Sequence, residues 1–344
     1  MTNLRVLICD DSRTYAAALM RTLEHDGDIT VLAVCPTAEL ALTMLRHERP
    51  DVLTMDLELP GMDGLAAVAE VMAAAPVPIL VLSAHCGAGS DRAAAAAAAG
   101  ALDAAAKEDL DLRDPAGAQG TAFRRRVWAL SRARVIRHPG ARLAAPAGPL
   151  GLARRASVIG ICASVGGPPL LASLLGALPA SYPIPVLIVQ HMAVGFTDGL
   201  ASWLDDGAAL PVGVATAGPI APGAWLAPDS AHLAVTAAGR MDLDRRTVAG
   251  PHRPSGDVLL RSIAAAAGRA GVAIVLSGMG SDGADGAAAV RHAGGLAIAQ
   301  DQGSAAVFGM PKAAIDLGVQ TVLPPAEIIA RLLSLRPGPL AGAS

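Results

Sequence analysis

Three residues in the second half of the chain have types that together could cleave an acyl bond. They are Ser164, His191 and Asp282. Ser164 ends the run Ser157-Val158-Ile159-Gly160-Ile161-Cys162-Ala163-Ser164 and is followed by Val165-Gly166-Gly167-Pro168. A β-branched run stopping in small residues, with proline next, reads as strand, tight turn and helix start, because proline is tolerated in a first helical turn. Read alone, this stretch favours a plain glycine turn carrying an incidental serine. A phosphate-binding turn fits poorly, since Gly160 and Gly166 do not make G-x-G-x-x-G.

The rest of the half changes that balance. His191 follows the apolar run Val186–Gln190, and Asp282 follows Val272–Ser277 and the glycine-rich Gly278-Met279-Gly280. All three groups therefore stand just past β-like runs and would share one edge of a parallel sheet. A serine hydroxyl is a weak nucleophile, a histidine can take its proton, and a carboxylate can fix the imidazole tautomer. Glycines beside Met279 would let backbone N–H groups approach a developing oxyanion, worth about 3 kcal/mol per donor. The chain order Ser, His, Asp, with Cys162 at the first position of a would-be G-x-S-x-G elbow, argues against the α/β-hydrolase pattern.

The first third carries different chemistry. Asp10 and Asp11 follow Leu4–Cys9, Asp56 follows Val52–Met55, Ser83 follows Ile79–Leu82, and Lys107 follows Asp103–Ala106. Three carboxylates converging on one sheet edge repel one another, and Mg²⁺ suits such a set with water and phosphate oxygens.

The elements that must position these groups follow from spacing. Five strand-like runs, including Thr30–Val34, alternate with helical stretches before residue 110, as in a doubly wound parallel sheet. The chain has 344 residues, enough for two domains, and is 53% hydrophobic with 2% aromatic residues, so its cores are aliphatic. Residues 1–110 hold 7 basic and 16 acidic residues, 111–155 hold 10 and 2, and 156–344 hold 10 and 12. The spacing predicts a closing helix over 111–137, rich in arginine, then a Pro/Gly-rich linker. The basic stretch reads as a solvated tether, with a possible lean on the acidic first domain. No recognition helix or interleaved aromatics follow, so nucleic acid is not expected as a partner.

The uncharged segment 156–190 is broken by prolines and is not expected to span a membrane. No signal peptide is visible. Cys9, Cys35, Cys86 and Cys162 are scattered without C-x-x-C spacing, which suits a reduced cytoplasm and argues against structural zinc. Asp285 is a nearby but less favoured alternative to Asp282. The remaining histidines, 25, 47, 85, 138, 232, 252 and 292, read as surface or loop residues, with His252 the one that could line the cleft.

Two resemblances give these patterns names. Asp10-Asp11, Asp56-Leu57-Glu58-Leu59-Pro60-Gly61-Met62-Asp63-Gly64, Ser83, and Gly100-Ala101-Leu102-Asp103 leading to Lys107 resemble the response-regulator receiver. This implies a flavodoxin-like five-stranded parallel sheet and phosphorylation of Asp56 by a chemotaxis histidine kinase. It also implies Mg²⁺ held by Asp10, Asp11 and Asp56, with Ser83 and Lys107 sensing the phosphoryl group. Glu108 stands where receivers carry proline and Ala104 where they carry an aromatic residue, so an aromatic-rotamer switch has no side chain to use.

The second half is similar to the chemotaxis protein-glutamate methylesterase family, CheB. The resembling pieces are Ala163-Ser164-Val165-Gly166-Gly167-Pro168, Gln190-His191-Met192 with Gly195-Phe196, and Arg253-Pro254-Ser255 with Asp257. They continue with Leu276–Ala284, Gly294-Gly295, Ala299-Gln300-Asp301 and Phe308–Ala314. The family implies a doubly wound, mostly parallel α/β hydrolase without a cofactor. It implies hydrolysis of glutamate methyl esters and deamidation of glutamines on the cytoplasmic helices of chemoreceptors. Ser164 is then the nucleophile, His191 the base, Asp282 the orienting acid and Met279 the oxyanion-side residue. Val165 replaces the family's usual threonine. The expected domains are a receiver over 1–137, a linker over 138–155, a methylesterase over 156–337 and a tail over 338–344. Phosphorylation of the receiver is expected to release the hydrolase. A phosphorylation-gated adaptor with an inactive hydrolase fold is the alternative; a DNA-binding regulator lacks an output domain.

Overall fold

A computed structural model describes residues 3–84, 90–133, 154–247 and 252–339. The chain divides into two compact units.

The first unit is a five-stranded parallel sheet. Its strands are β1 (Leu4–Cys9), β2 (Ile29–Cys35), β3 (Val52–Asp56), β4 (Ile79–Ser83) and β5 (Asp103–Ala106), in the order β2-β1-β3-β4-β5. Helices α1 (Arg13–Glu24), α2 (Ala38–Glu48), α3 (Gly64–Ala74), α4 (Ser90–Ala99) and α5 (Ala118–Ser131) cross between and after the strands. Both β3 and β4 are buried at every residue. A parallel strand covered on both faces reads as an unbroken apolar run, which is why these strands were legible. Ser12 and Thr37 cap α1 and α2 by accepting the amides of Tyr15 and Leu40.

The closing helix is shorter than expected. It begins at Ala118, because Asp114 takes the Gly117 amide in a turn around Pro115 and Asp111 is tied to Gln119. Nor is its arginine run a solvated tether. The Arg124 side chain is 5% exposed and donates to Asp26 at 2.7 Å and to the carbonyls of Thr22 and Pro115. Arg126 pairs with Asp103 at 2.5 Å. Two cations of the basic stretch thus fold into the acidic unit itself.

The second unit has β6 (Arg155–Ala156), β7 (Val158–Ala163), α6 (Gly167–Gly176), β8 (Val186–Gln190), α7 (Thr197–Gly207), β9 (Val212–Val214), β10 (Gly218–Pro219), β11 (Ala224–Leu226), β12 (His232–Val235) and β13 (Arg240–Asp244). It continues with α8 (Gly256–Ala267), β14 (Gly271–Val275), α9 (Ala284–His292), β15 (Leu296–Gln300), α10 (Met310–Asp316), β16 (Thr321–Leu323), α11 (Pro325–Ser334) and β17 (Arg336–Pro337). Seven strands form one sheet in the order β16-β15-β14-β7-β8-β11-β9, and every pairing in it is parallel. Strands β10, β13 and β12 make a small antiparallel sheet.

The strand pattern does not close at Leu296–Gln300: β16 adds an outer strand of only three residues, too short to stand out in the sequence. Residues 138–153 of the expected linker, His85, Cys86, His138 and the end of the tail lie outside the described residues. The last linker residues are not free chain. Arg155 and Ala156 pair with Arg336 and Pro337, and the Gly338 amide donates to Ala156. Among the described residues, no helix is long and apolar enough to cross a membrane.

Candidate functional site

The central strands β14, β7 and β8 bring their carboxyl ends together, and the expected catalytic groups sit there. Ser164 directly follows β7 and His191 directly follows β8. Their backbones are tied: the His191 amide donates to Ala163 and the Ser164 amide to Ser277, both at 2.9 Å. The Gln190 side-chain amide donates to the carbonyls of both Ser164 and His191. Ser277 completes the frame, its hydroxyl donating to Val165 at 2.7 Å and accepting the Val307 amide.

Two glycines are required by this packing. Gly166 has φ +75°, which leaves the turn after Ser164 to glycine. A Cβ on Gly278 would lie 2.2 Å from Met310 Sδ and 2.8 Å from Ser164 Cβ. The bare backbone at Gly278 therefore lets the next residue, Met279, run beside the serine. Among the described residues the Met279 amide meets no acceptor, whereas its neighbour Gly278 donates to Val307 at 3.0 Å.

Asp282 reaches the same edge from the loop after β14. Its Oδ2 lies 2.8 Å from His191 Nε2, with both side chains about one-tenth exposed. The carboxylate also accepts the Gly256 amide at 2.6 Å, the Asp257 amide at 3.1 Å and the Ser255 hydroxyl at 2.8 Å. It is therefore seated on the amino end of α8, where amides and helix dipole favour negative charge. Burial pushes the Asp282 carboxyl up, but the His191 bond and the two amides outweigh it, and the net position is well below the usual carboxylate range. Nε2 meets the carboxylate as a close ion-pair contact and not as an aligned hydrogen bond; because a carboxylate only accepts, the tautomer that suits the pair carries its proton on Nε2 and leaves the Nδ1 lone pair free. Among the described residues no hydrogen bond joins Ser164 to His191. Asp285, by contrast, is paired with Arg261 at 3.1 Å and half-exposed.

His252 was the histidine noted as able to line the cleft, whereas His232 and Ser255 were not read as part of the site. His252 stacks on His191 with ring centroids 4.4 Å apart and an interplanar angle of 14°. Burial, then the neighbouring His191, lower its pKa. His232 is a buried residue, 1% exposed, and not a surface one. Its Nδ1 accepts the Ser255 amide at 3.1 Å, so Nε2 carries the proton toward the Thr247 carbonyl. Ser255, noted only inside a motif, joins His232 to Asp282. Asp301 holds the Gly303 amide and Ser304, Lys312 pairs with Asp316, and Met310 is fully buried, all in supporting roles.

The first unit collects its acids at the switch point between β1 and β3, where open α/β sheets place ligands. Asp10, Asp11 and Asp56 each offer a carboxylate oxygen within 4.8 Å of the others. Lys107 Nζ lies 2.7 Å from Asp10 and 2.6 Å from Asp56. Ser83 is buried at the end of the adjacent β4. Burial raises the Asp56 pKa against the opposing pull of Lys107, and the two carboxylates hold Lys107 protonated despite its own burial. Three carboxylates facing one ammonium leave negative charge uncompensated, and all donors are hard oxygens. That set fits Mg²⁺.

Comparison with known proteins places the chain in a family. Residues 159–332 match the family described as CheB methylesterase, and residues 6–112 match the response regulator receiver domain. The chain belongs to the CheB methylesterase family. A protein-glutamate methylesterase/protein-glutamine glutaminase of Myxococcus xanthus is 42% identical over 91% of this chain and 88% of its own length. One from Paramagnetospirillum magneticum is 38% identical over 96% of both chains. The CheB methylesterase catalytic domain of Thermotoga maritima superposes with a TM-score of 0.50 at 37% identity, covering 52% of this chain and 97% of that one. The expected fold class, an N-terminal receiver followed by a parallel α/β methylesterase domain, is the one observed.

Proposed function

We propose that this CheB-family hydrolase removes methyl groups from glutamate side chains of chemoreceptors and deamidates certain glutamines there. In this reading Ser164, His191 and Asp282 are its catalytic residues. The observation that carries the proposal is the 2.8 Å contact of His191 with a carboxylate fixed on a helix end, at the strand edge that also bears Ser164.

Ser164 Oγ attacks the ester carbonyl carbon while His191 Nδ1 takes the hydroxyl proton. The carbonyl π pair moves onto oxygen, and the unengaged Met279 amide would receive that charge. Asp282 stabilises the imidazolium without taking its proton. The tetrahedral centre collapses, the C–OCH₃ bond breaks, and His191 returns the proton so that methanol leaves. Water then attacks the acyl-serine with His191 again as base, releasing glutamate and restoring Ser164. With a glutamine substrate the leaving group is ammonia. No cofactor enters these steps.

The receiver supplies the control. Asp56 accepts a phosphoryl group from a chemotaxis histidine kinase, its carboxylate oxygen forming the new bond to phosphorus as the P–N bond of the phosphohistidine breaks and the kinase imidazole leaves. Asp10, Asp11 and Asp56 would hold Mg²⁺, whose charge would offset that of the phosphoryl oxygens. Ser83 and Lys107 would contact the phosphoryl oxygens. The receiver spans residues 1–137 and, on the β6–β17 pairing, the hydrolase spans 154–338 with the linker between. Scattered buried thiols support a reducing, cytoplasmic setting. An adaptor reading is disfavoured, because an adaptor has no need of His191, Asp282 and an unengaged Met279 amide on one edge.

Methanol release from methylated receptor membranes tests this reading. Release is expected to rise with a small phosphodonor plus Mg²⁺ and to vanish in Ser164→Ala. Deleting residues 1–137 is expected to raise basal release. A folded wild type that releases no methanol from several receptors would favour the adaptor.

A further inference from the structure

The edge of the hydrolase sheet opposite the catalytic groups carries a second concentration of charge. Arg154 and Arg155 precede β7, and Arg269 and Ala270 precede β14. Together they line a shallow cavity of about 310 Å³. Six residues of β7 separate it from Ser164, roughly 20 Å at the rise of a strand.

This cavity is built, not incidental. The Arg154 guanidinium is anchored by donating to the carbonyls of Arg269, at 2.9 Å, and Gly294. Its Nε is buried and meets no partner. The Arg269 stem lies over Gly294, where a Cβ would come within 3.1 Å of its Cγ. Arg155 is held by the β6–β17 pairing, with its side chain outward. Among the described residues no carboxylate pairs with Arg154, Arg155 or Arg269. Burial, and then the facing charges of Arg269 and Arg331, lower the Arg154 pKa.

We propose that Arg154, Arg155 and Arg269 form a binding site for a phosphate-type oxyanion, inorganic or on a nucleotide. Three arginines lining one small cavity call for a multiply charged ligand with several acceptor oxygens. Phosphate and diphosphate match that fork geometry, whereas a single carboxylate would neutralise only one of the three.

The test uses the full chain without Mg²⁺ and in constant ionic strength. Orthophosphate, pyrophosphate and ADP are titrated against the thermal midpoint and by calorimetry, for wild type and for Arg155→Gln/Arg269→Gln. Both substituted side chains are exposed and distant from the catalytic edge, so methanol release should stay at the wild-type level and report intact folding. The expected result is a saturable rise in midpoint with at least one phosphate ligand, and binding weakened roughly tenfold or more in the double variant. Response to the inorganic ions alone would assign free phosphate, and tighter binding of ADP would assign a nucleotide. A rise reproduced by sodium chloride, one unchanged in the double variant, or none with any of the three would overturn the site.

Discussion

The Ser255 hydroxyl that caps helix α8 also donates to Asp282 Oδ1 at 2.8 Å. One side chain thus starts a helix and holds the Asp282 carboxylate on it. Ser255→Ala removes both. The lost cap should cost about 1 kcal/mol of stability. The lost charge-assisted bond, about 1.5–3 kcal/mol, should lower kcat of methanol release roughly tenfold to a hundredfold. Substrate affinity should change little, because Ser255 acts through Asp282. Wild-type kcat in a folded Ser255→Ala protein would refute this coupling.

His232 extends the same chain inward. Its Nδ1 must stay unprotonated to accept the Ser255 amide. His232→Gln can retain a hydrogen bond to that amide, whereas His232→Leu leaves the amide buried and unpaired, at about 1–3 kcal/mol. The leucine variant should therefore show a lower thermal midpoint and slower turnover than the glutamine variant. Equal behaviour of the two would remove His232 from the positioning network.

Asp282 also makes stability depend on pH. Its folded pKa lies below its unfolded one. Its contribution is therefore present above the ordinary carboxylate value near ~4 and is lost as pH falls from there through the folded value. Urea midpoints measured from pH 6 down to pH 3 should fall more steeply for wild type than for Asp282→Asn. Parallel curves would show that the carboxylate contributes no acid-sensitive stability.

Asp56 should be the phosphorylation site of the receiver. With Mg²⁺ and a small phosphodonor, intact mass should gain one phosphoryl group in wild type and in Ser164→Ala. Asp56→Asn, or removal of Mg²⁺ by a chelator, should abolish the gain. Lys107→Ala should leave it detectable but should weaken the phosphorylation-dependent rise in methanol release. Full labelling of Asp56→Asn would move the site elsewhere.

The close approach at Gly278 gives a steric test. Alanine there meets Met310 Sδ and Ser164 Cβ well inside van der Waals distance. Gly278→Ala should cost about 1–3 kcal/mol and displace the Met279 amide from the serine. Pairing it with Met310→Ala relieves the sulfur contact but not the serine contact. Stability should then recover more than turnover does. Recovery of both in parallel would mean that Gly278 matters only for packing.

The sequence by itself determined the strands, their edge and the chemical types gathered there. Continuous apolar runs such as Val186–Gln190 can only be buried strands or short helical pieces, and the glycines after them force turns. Polar residues just past such runs must fall at one sheet edge, so Ser164, His191, Asp10 and Asp56 could be singled out by local pattern. Tertiary structure decided what lies beyond local pattern. His232 is legible only as a histidine in a β-like piece; its burial depends on Ser255, 23 positions away. His252 could be placed near the cleft from sequence, but its stacking partner, His191, is fixed only by the fold. Arg124 reads as part of a basic run, yet folding places it against Asp26, 98 positions away, and the carbonyls of Thr22 and Pro115, 102 and 9 positions away. The arginine cavity joins residues more than a hundred positions apart. Hydrophobic periodicity is written in neighbouring residues, whereas hydrogen-bond partners and charge pairing are set by which strand ends the sheet order makes adjacent.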